Sequence, residues 1–569
     1  MFYKTSKYPQ INLFSDTHTF LTGASLKVYE DSKGWHNLFR EQITNRIDEE
    51  LFRPLFCCNN GAPNASIRVL IAMMILKEAR ELSDSQLFED CRFNLLYRSA
   101  LGLPNMDDSL PAISTYYLLR QRIVNWEKEG NENLIEKVFA QVTKSQAVEF
   151  DINGKKIRMD SKLMGSNIAW YSRYELIHES LRQACCCLKS EGINLILSES
   201  DIKLLEAVCS ESGDKVSYRS NKKEVESKLE LLGNLIYKIV QQMGDHPCEA
   251  IQILGRVFQE QYIENEDRIL PRCKEEIQSS TIQSPHDTDC HYRNKDGNQV
   301  KGYSINIAET CDSDDSFNLI TNVIVDVASA ADCEFLQSAI EATQEIVSAK
   351  PKTANVDGAY HSVENQNYCK ENEIDLVLGG IQGKASRYDL SYDDNHKLIV
   401  TDLDTNTIVP CQETKSRKDN ILKWVIKDSR GNKRYFTQKE IDTCSLRKQI
   451  AGRTQAELNL RNNVEATIFQ LGYYYSNNKS RYRGLIKHKI WANLRCLWIN
   501  FVRIVNFILC SGKKNAQKVQ NQLISYKTLT KSIKTVLLII LIEIFCRPFQ
   551  KVDRQEELVK ISFCRGVKI

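Results

Sequence analysis

Apolar positions recur at helical spacing through the first 150 residues. The stretch Ile67–Leu82, IRVLIAMMILKEAREL, predicts a helix. Ser83 and Gln86 then have the spacing of a capping box, which predicts that the next helix begins there. A third helix is predicted near SLPAISTYYLLRQRIV. Short helices joined by tight turns could present one helix to a DNA groove, although such helix pairs also occur as plain packing.

The pattern changes to alternation after residue 153. Ile157 and Met159 alternate with Arg158 and Asp160, as expected for a strand. Two further strand patterns, Lys301–Thr310 and Asn318–Ala328, are joined by a polar turn and predict a hairpin.

The remaining segments alternate between helix and strand. A helix in CEFLQSAIEATQEIVSA precedes a strand ending at Asp357, and a helix in SVENQNYCKENE precedes the strand IDLVLGG. Residues 166–275 form a charged helical insertion without strand signals, and residues 384–440 form a β-rich insertion. Without the insertions, the order is strand, strand, strand, helix, strand, helix, strand, helix. This order predicts the α/β class and a ribonuclease-H-like mixed five-stranded sheet, with a helical insertion after the first strand and a β-rich insertion before the last helix.

Two acids stand on strands that such a fold makes neighbours. Asp160 lies on the first strand and Asp357 ends the fourth. Close carboxylates repel each other unless a cation lies between them, and Mg²⁺ or Mn²⁺ binds such oxygen ligands. Two such ions can activate a water or a 3′-hydroxyl for attack on a phosphodiester. The pair therefore indicates metal-dependent phosphodiester chemistry.

Glu465 is the best candidate for a third carboxylate. It lies at the edge of the apolar stripe of the last helix, and Arg461 precedes it by one turn on the same face. The alternative is an ordinary surface pair between Arg461 and Glu465. The rival acids, which stand in or at the β-rich insertion, are Asp402, Asp404 and Glu440.

Asp357 also has a plainer interpretation, since an acid before a helix is a common cap. Gly358 and Ala359 are too small to cover its carboxylate, which favours a site open to metal and DNA. Tyr360 either packs beneath the site or lines the path of the DNA.

Composition restricts the class of protein. The chain has 569 residues, 42% hydrophobic and 26% charged, as in ordinary soluble globular proteins. Its 19 cysteines are scattered or adjacent and no signal peptide precedes them, which favours reduced thiols and a cytoplasmic location. The best zinc candidate, His286, Cys290 and His291, lacks a fourth partner. The longest apolar run, Val536–Cys546, is shorter than the roughly 20 residues of a membrane span, so no membrane partner is predicted.

Positive charge is concentrated in the C-terminal part. From residue 473 onward, the chain has 19 Lys and Arg against 4 Asp and Glu. The segment YYYSNNKSRYRGLIKHKIW interleaves basic and aromatic residues, which can contact phosphates and stack on unpaired bases. The alternatives are a solvated basic face and aromatic packing. The candidate DNA-binding residues are Arg461, Lys479, Arg481, Tyr482, Arg483 and Lys487.

On the basis of these residues, the chain resembles the bacterial DDE transposases of insertion sequences. The resemblance is to the branch that has a β-rich insertion before the last acid. Four stretches carry the resemblance. The helical segment from RPLFCCNN to SALGL resembles an InsH-type N-terminal domain, and KIRMDSKLMGSN resembles the strand of the first acid. HYRNKDGNQVKGYSINIAET with ANVDGAYHS resembles the hairpin and the strand of the second acid, and RNNVEATIFQLGYYYSNNKSRYRGL resembles the helix of the third acid. This sequence departs from the pattern at Leu458, where relatives often have Tyr, and at Gly472, where they often have Lys.

The resemblance implies a function for each part of the chain. Residues 1–150 would be a helical DNA-binding domain, 151–510 the catalytic domain, and 511–569 a basic tail of unknown role. Asp160, Asp357 and Glu465 would be the catalytic residues and would bind two Mg²⁺ or Mn²⁺ ions. The protein would cleave double-stranded DNA at the terminal inverted repeats of its element and join the ends to target DNA, as a homodimer in the synaptic complex. The alternatives are a transposase-derived DNA-binding protein without catalysis and a structure-selective nuclease of the same fold.

Overall fold

The computed structural model describes residues 1–511 apart from 8, 9, 13, 58, 59, 266, 267, 296, 348, 382, 394–396, 416–420, 429, 430 and 474. The chain divides into two units, Met1–Phe507 and Ile508–Ile569. The apolar run Val536–Cys546 and the predicted basic tail beyond residue 511 lie outside the described residues.

The N-terminal part is helical, as predicted. In the described part of residues 1–150 the α-helices are α1 Thr17–Phe20, α2 Gly23–Glu30, α3 Trp35–Gln42, α4 Ile67–Arg80, α5 Asp84–Phe93, α6 Leu95–Leu101, α7 Ile113–Lys128 and α8 Leu134–Glu149. Helix α4 is buried from Ile67 to Ala79 and forms the centre of this part. The predicted capping box is confirmed, since Ser83 and Gln86 exchange hydrogen bonds at the start of α5.

A helical insertion follows the first strand, β1 (Lys156–Gly165). Its elements are α9 Arg173–Glu191, α10 Glu199–Ser210, α11 Gly213–Arg219, α12 Lys222–Met243, α13 Glu249–Gln261, β2 Tyr262–Asn265 and β3 Arg268–Pro271. The prediction of helix alone was wrong at β2 and β3, which pair antiparallel. Strands of four residues are too short to give a recognisable alternation. The insertion has its own apolar core, which includes Leu181, Leu232 and Leu254.

The central sheet has six strands, not the predicted five. Besides β1, the strands of this sheet are β4 His291–Lys295, β5 Asn298–Thr310, β6 Ile320–Val327, β7 Thr353–Val356 and β8 Asp375–Leu378. Helix α14 Leu336–Ile346 precedes β7, and helix α15 Val363–Glu371 precedes β8. Strand β5 pairs antiparallel with β1 and β6, while β7 pairs parallel with β1 and β8. The path is β6–β5–β1–β7–β8. The extra strand arises because β5 is 13 residues long, so its first residues pair with β4 and the rest with β6. The mixed α/β class is confirmed.

The β-rich insertion forms two small antiparallel sheets. Their strands are β9 Tyr388–Tyr392, β10 Leu398–Asp402, β11 Thr407–Val409, β12 Gln412–Lys415, β13 Leu422–Lys427 and β14 Lys433–Phe436. Leu390, Val400 and Trp424 belong to a buried cluster that these sheets share. This arrangement confirms the predicted β-rich character of residues 384–440.

Helices end the described part of the chain. They are α16 Gln438–Ala451, α17 Gln455–Asn462, α18 Val464–Leu471 and α19 Leu485–Ser511. The segment predicted as one last helix is therefore divided at Asn463 into α17 and α18. In the first unit, Asn500 of α19 exchanges two hydrogen bonds with the backbone of Ile320 in β6, at 2.8 and 2.9 Å. The ring of Phe501 packs edge-on against Phe39 of α3. Helix α19 thus joins the sheet to the N-terminal helices.

Among the described residues, one helical stretch is long and apolar enough to cross a membrane. It is Leu485–Cys510, with a mean hydropathy of 1.3. Half of its most apolar part is buried inside the protein, as in the core helix of a globular domain, so it is weak evidence for a membrane span.

Buried His488, near the start of α19, predicts a pH dependence of stability. Its Nδ1 donates to the carbonyl of Gly484 at 2.8 Å, its Nε2 lies 2.7 Å from the Ser480 hydroxyl, and its ring packs on Tyr303. Burial lowers the pKa of His488 to about 4. Because this value lies below the ordinary 6.5, the stabilisation is complete above pH 6.5 and is lost as pH falls towards 4.

We expect His488 to account for about 3 kcal/mol of lost unfolding free energy across that range, at roughly 1.4 kcal/mol per pKa unit. Urea unfolding between about pH 7 and pH 4 measures the loss. A His488→Gln variant should lose this contribution to the pH dependence of the unfolding free energy. It should keep the contributions of His36 and His178, whose pKa values burial also lowers. An unchanged slope in that variant contradicts the prediction.

Candidate active site

The sheet register brings two of the predicted acids to the same edge. Strands β1 and β7 are parallel neighbours in which Arg158 pairs with Asn355. Asp160, in the middle of β1, and Asp357, directly after β7, each lie two residues beyond this pair, so their side chains lie side by side on the same face of the sheet. Residues remote in sequence become neighbours because the two strands pair in parallel.

Arg461 connects these acids to Glu465. Its Nη2 lies 3.2 Å from Oδ2 of Asp160 and 3.7 Å from Oδ2 of Asp357. Its Nη1 lies 3.8 Å from Oε1 of Glu465, one turn further along. The structure therefore brings the three predicted acids together around one guanidinium group. Arg461, predicted to bind DNA, is the residue on which they converge.

The three carboxylates differ in their access to solvent. The side chain of Asp160 is 17% exposed, that of Asp357 43% and that of Glu465 65%. Burial raises the pKa of Asp160 above its ordinary value, and the nearby charge of Asp357 raises it further. Arg461 and the Ser161 N–H, which donates to Oδ1 of Asp160 at 2.8 Å, oppose this rise. A cation beside Asp160 therefore favours its ionised form, as Arg461 does here.

The local structure around Asp357 separates the two interpretations of this acid. Its Oδ1 accepts a hydrogen bond from Gly358 N at 2.6 Å, which caps a single turn of 3₁₀ helix. The cap of the following helix α15 is Ser362, whose Oγ accepts from Asn365 N. Asp357 therefore caps only the short turn, and its Oδ2 is directed to Arg461.

Gly358 has a further role besides the predicted one of leaving the carboxylate of Asp357 open. A Cβ at this position would lie 2.0 Å from the carbonyl oxygen of Gly380, so the glycine is required by a close approach of two backbone segments. The ring of Tyr360 is buried, and its hydroxyl donates to Oδ1 of Asn306. Tyr360 thus packs beneath the site and does not line a DNA path.

Several residues of the site were not predicted from the sequence. An open cavity of about 560 Å³ beside Asp357 is lined by Arg293, Lys295 and Asp332 among others. Asp332 is buried and accepts a hydrogen bond from the Ser161 hydroxyl at 2.7 Å, next to Asp160. Like Asp357, it follows a strand and precedes a helix, and that pattern could have indicated it.

Lys162 follows Asp160 by two residues on β1, so the two side chains leave the same face of that strand. A Cβ on Gly472 would lie 2.5 Å from Nζ of Lys162. The ammonium group of Lys162 therefore occupies the space beside Gly472.

The basic segment after α18 contacts other parts of the protein. Arg481 donates to the carbonyl of Leu82 at 2.9 Å and pairs with Glu78 at 3.2 Å, and the Tyr482 hydroxyl also donates to Glu78. Lys479 donates to the Ile168 carbonyl.

Two other basic residues of this region are exposed. Arg483 donates to the Asn167 carbonyl at 2.6 Å, and Lys487 is exposed on α19. The role in DNA binding stays a prediction for all five residues from Lys479 to Lys487.

The rival acids have local partners in or beside the β-rich insertion. Arg387 pairs with Asp402 at 2.7 Å and with Asp404 at 2.9 Å. Glu440 accepts a hydrogen bond from Thr437 N at 2.8 Å and completes the capping box of α16. Each of these acids therefore has a structural role where it stands.

The converging acids supply oxygen donors of the kind that a hard divalent cation prefers, but around Arg461 their oxygen atoms do not all lie within 4.8 Å of one another. Three carboxylates surround one positive group, and Mg²⁺ and Mn²⁺ prefer such oxygen ligands. In the described part of the chain, a cluster of possible metal ligands whose atoms all lie within 4.8 Å of one another occurs elsewhere. It consists of Cys187, Glu191 and Cys248. The predicted zinc candidate, His286, Cys290 and His291, does not form such a cluster there.

The N-terminal helices resemble a known family. Residues 28–122, from α2 into α7, match the model of the family described as Transposase domain (DUF772). No curated protein matches the chain. Its helical N-terminal part is therefore similar to a transposase domain, and this match supports a transposase.

Proposed function

We propose that the protein is a metal-dependent DDE transposase. It cleaves DNA at the terminal inverted repeats of its element and joins the freed 3′ ends to target DNA. The observation that carries the proposal is the convergence of Asp160, Asp357 and Glu465 around Arg461, in a chain whose N-terminal part is similar to a transposase domain. The strand path β6–β5–β1–β7–β8, with β7 and β8 parallel to β1, supports a ribonuclease-H-like core.

Each carboxylate has a role in the proposed chemistry. Asp160, Asp357 and Glu465 would hold two Mg²⁺ or Mn²⁺ ions. When bound, the ions activate a water or a 3′-hydroxyl and stabilise the leaving oxygen of the phosphodiester. Asp160 is fixed by the hydrogen bond from Ser161 N, whereas exposed Glu465 can adjust its position.

Basic groups around the acids would position the DNA backbone. Arg461 lies among the carboxylates and is within reach of a phosphate bound there. Exposed Lys295 lines the cavity beside Asp357 and adds positive charge to it. The partners we propose are double-stranded DNA, both element ends and target, and a second copy of the chain in the synaptic complex. The location we propose is the cytoplasm of a bacterial cell, at the nucleoid.

Purified protein and labelled DNA from both flanks of its coding region test the proposal. With Mg²⁺ or Mn²⁺ we expect cleavage at each element end, followed by joining of the ends to a target plasmid. Ca²⁺ in place of Mg²⁺ controls for binding without cleavage. Specific binding with no cleavage in either active metal would overturn the proposal in favour of a non-catalytic DNA-binding protein. Cleavage without joining would indicate a nuclease.

A further inference from the structure

A cluster of metal-ligating side chains lies in the helical insertion, away from the acids of the candidate active site. Cys187 and Glu191 are four residues apart near the end of α9, so they share one face of that helix. His246 and Cys248 stand in the short connection between α12 and α13. Two segments separated by about 60 residues thus meet at one point.

The contacts within this cluster are close. The Sγ atoms of Cys187 and Cys248 are within bonding distance, and Sγ of Cys187 lies 3.5 Å from Oε1 of Glu191. Nε2 of His246 lies 3.3 Å from Oε2 of Glu191. Ligand atoms of Cys187, Glu191 and Cys248 all lie within 4.8 Å of one another, and His246 joins this group through its contact with Glu191. Together the four side chains supply two sulfurs, one nitrogen and one oxygen, and each is at least partly accessible.

The backbone spacing favours a shared ion over a direct bond between the sulfurs. The Cα atoms of Cys187 and Cys248 are 7.2 Å apart, wider than the roughly 4.4–6.8 Å of disulfides. An ion bound between two thiolates spans a wider gap than one sulfur–sulfur bond does. Cys248 is also the N-cap of α13, where the helix dipole favours the thiolate that a metal requires.

We propose that Cys187, Glu191, His246 and Cys248 bind one zinc ion that fastens the end of α9 to the start of α13. Four ligands with two thiolates match the tetrahedral sites that zinc occupies in proteins. For Nε2 of His246 to bind, its ring proton moves to Nδ1, which ends the hydrogen bond that Nδ1 accepts from Cys248 N at 3.2 Å. The site holds the helical insertion together and is independent of any DNA cleavage.

Metal analysis of the full chain tests this proposal. The chain is purified with a phosphine reductant and zinc, dialysed, and measured by mass spectrometry. We expect close to one tightly held zinc per chain in the wild type. We expect almost none in Cys187→Ser or Cys248→Ser. Cys186→Ser is the matched control, since Cys186 is the exposed neighbour on the same helix and lies outside the cluster.

Cobalt substitution of the wild type gives a second readout that needs no variant to fold. Co²⁺ held by thiolates has a charge-transfer band in the near ultraviolet, whereas Co²⁺ bound to the acids of the candidate active site has none. We expect the band in the wild type and its loss on adding one equivalent of zinc. A wild-type chain that holds no zinc and shows no band would overturn the proposal. Zinc retained by the Cys187→Ser, Cys248→Ser double variant would overturn it equally.

Discussion

Replacing Asp357 with Asn is expected to reduce DNA cleavage by on the order of 10³-fold or more. The amide has the shape of the carboxylate, so its oxygen can still accept the hydrogen bond from Gly358 N. It lacks the negative charge with which Asp357 would hold a divalent cation. DNA binding should stay within about 2-fold, because binding depends on phosphate contacts made by many residues. Single-turnover cleavage of end DNA and a filter-binding titration measure the two effects.

The same substitution should leave the protein as stable as before or slightly more stable. Asp357 is half exposed, and its charge raises the pKa of neighbouring Asp160, so the two acids repel each other in the folded state. Removing one charge relieves that repulsion, which should raise the unfolding free energy by up to about 1 kcal/mol. Loss of activity with retained stability distinguishes a site acid from a structural one.

Asp404→Asn is the matched control for this prediction. Asp404 is also an exposed aspartate paired with an arginine, but its partner is Arg387 in the β-rich insertion. We expect the control to cleave DNA at nearly the wild-type rate. Equal cleavage rates in Asp357→Asn and Asp404→Asn chains would contradict the assignment of Asp357.

The strands and helices of the core could be predicted because their signals are local. The alternation around Ile157 and Met159 is typical of a strand, and both residues are fully buried in β1. Arg158 between them is buried as well, on the other face, where it pairs with Glu309. Asp160 and Asp357 could be singled out because each stands on or at the end of such a strand. The proximity of Asp160 and Asp357 followed from strand order, which local patterns give when the insertions are recognised. Glu465 was chosen for its place at the edge of the apolar stripe of the last helix.

The contacts between distant segments could not be predicted in the same way. Arg481 and Tyr482 have the basic and aromatic character of a DNA-binding segment, yet in the fold they contact Glu78, about 400 residues earlier. The cluster at Cys187 and Cys248 is equally hidden, since only the fold brings its halves together. The sequence shows the chemical character of a side chain, but it does not show which distant residue that side chain contacts.

Glu309 is the clearest case of such a hidden partner, and it leads to the largest expected effect on stability. It is fully buried on β5. Its carboxylate accepts from Arg158 of β1 at 2.6 Å, Arg503 of α19 at 2.8 Å and Thr467 of α18 at 2.7 Å. Arg158 also donates to the Leu460 carbonyl in α17. This one acid therefore joins the sheet to the helices that carry Arg461 and Glu465.

Replacing Glu309 with Gln should lower the unfolding free energy by about 3–5 kcal/mol, because it leaves two arginines without a buried countercharge. Burial would raise the pKa of Glu309, but Arg503 and Arg158 outweigh it and hold the pKa below the ordinary 4.5. The stabilisation is therefore complete above pH 4.5 and is lost as pH falls further. Urea unfolding at neutral pH measures the effect.

Glu199→Gln is the control, since Glu199 forms an exposed pair with Lys203 on one helix. Such pairs contribute about 0.3–0.5 kcal/mol, so this variant should unfold almost as the wild type does. A Glu309→Gln chain within about 1 kcal/mol of that control would contradict the prediction. If the prediction holds, Glu309→Gln should lose stability and cleavage together, because it loosens the helices that carry Arg461 and Glu465. Asp357→Asn should instead be inactive while fully folded, because Glu309 positions the helices and Asp357 would take part in the chemistry.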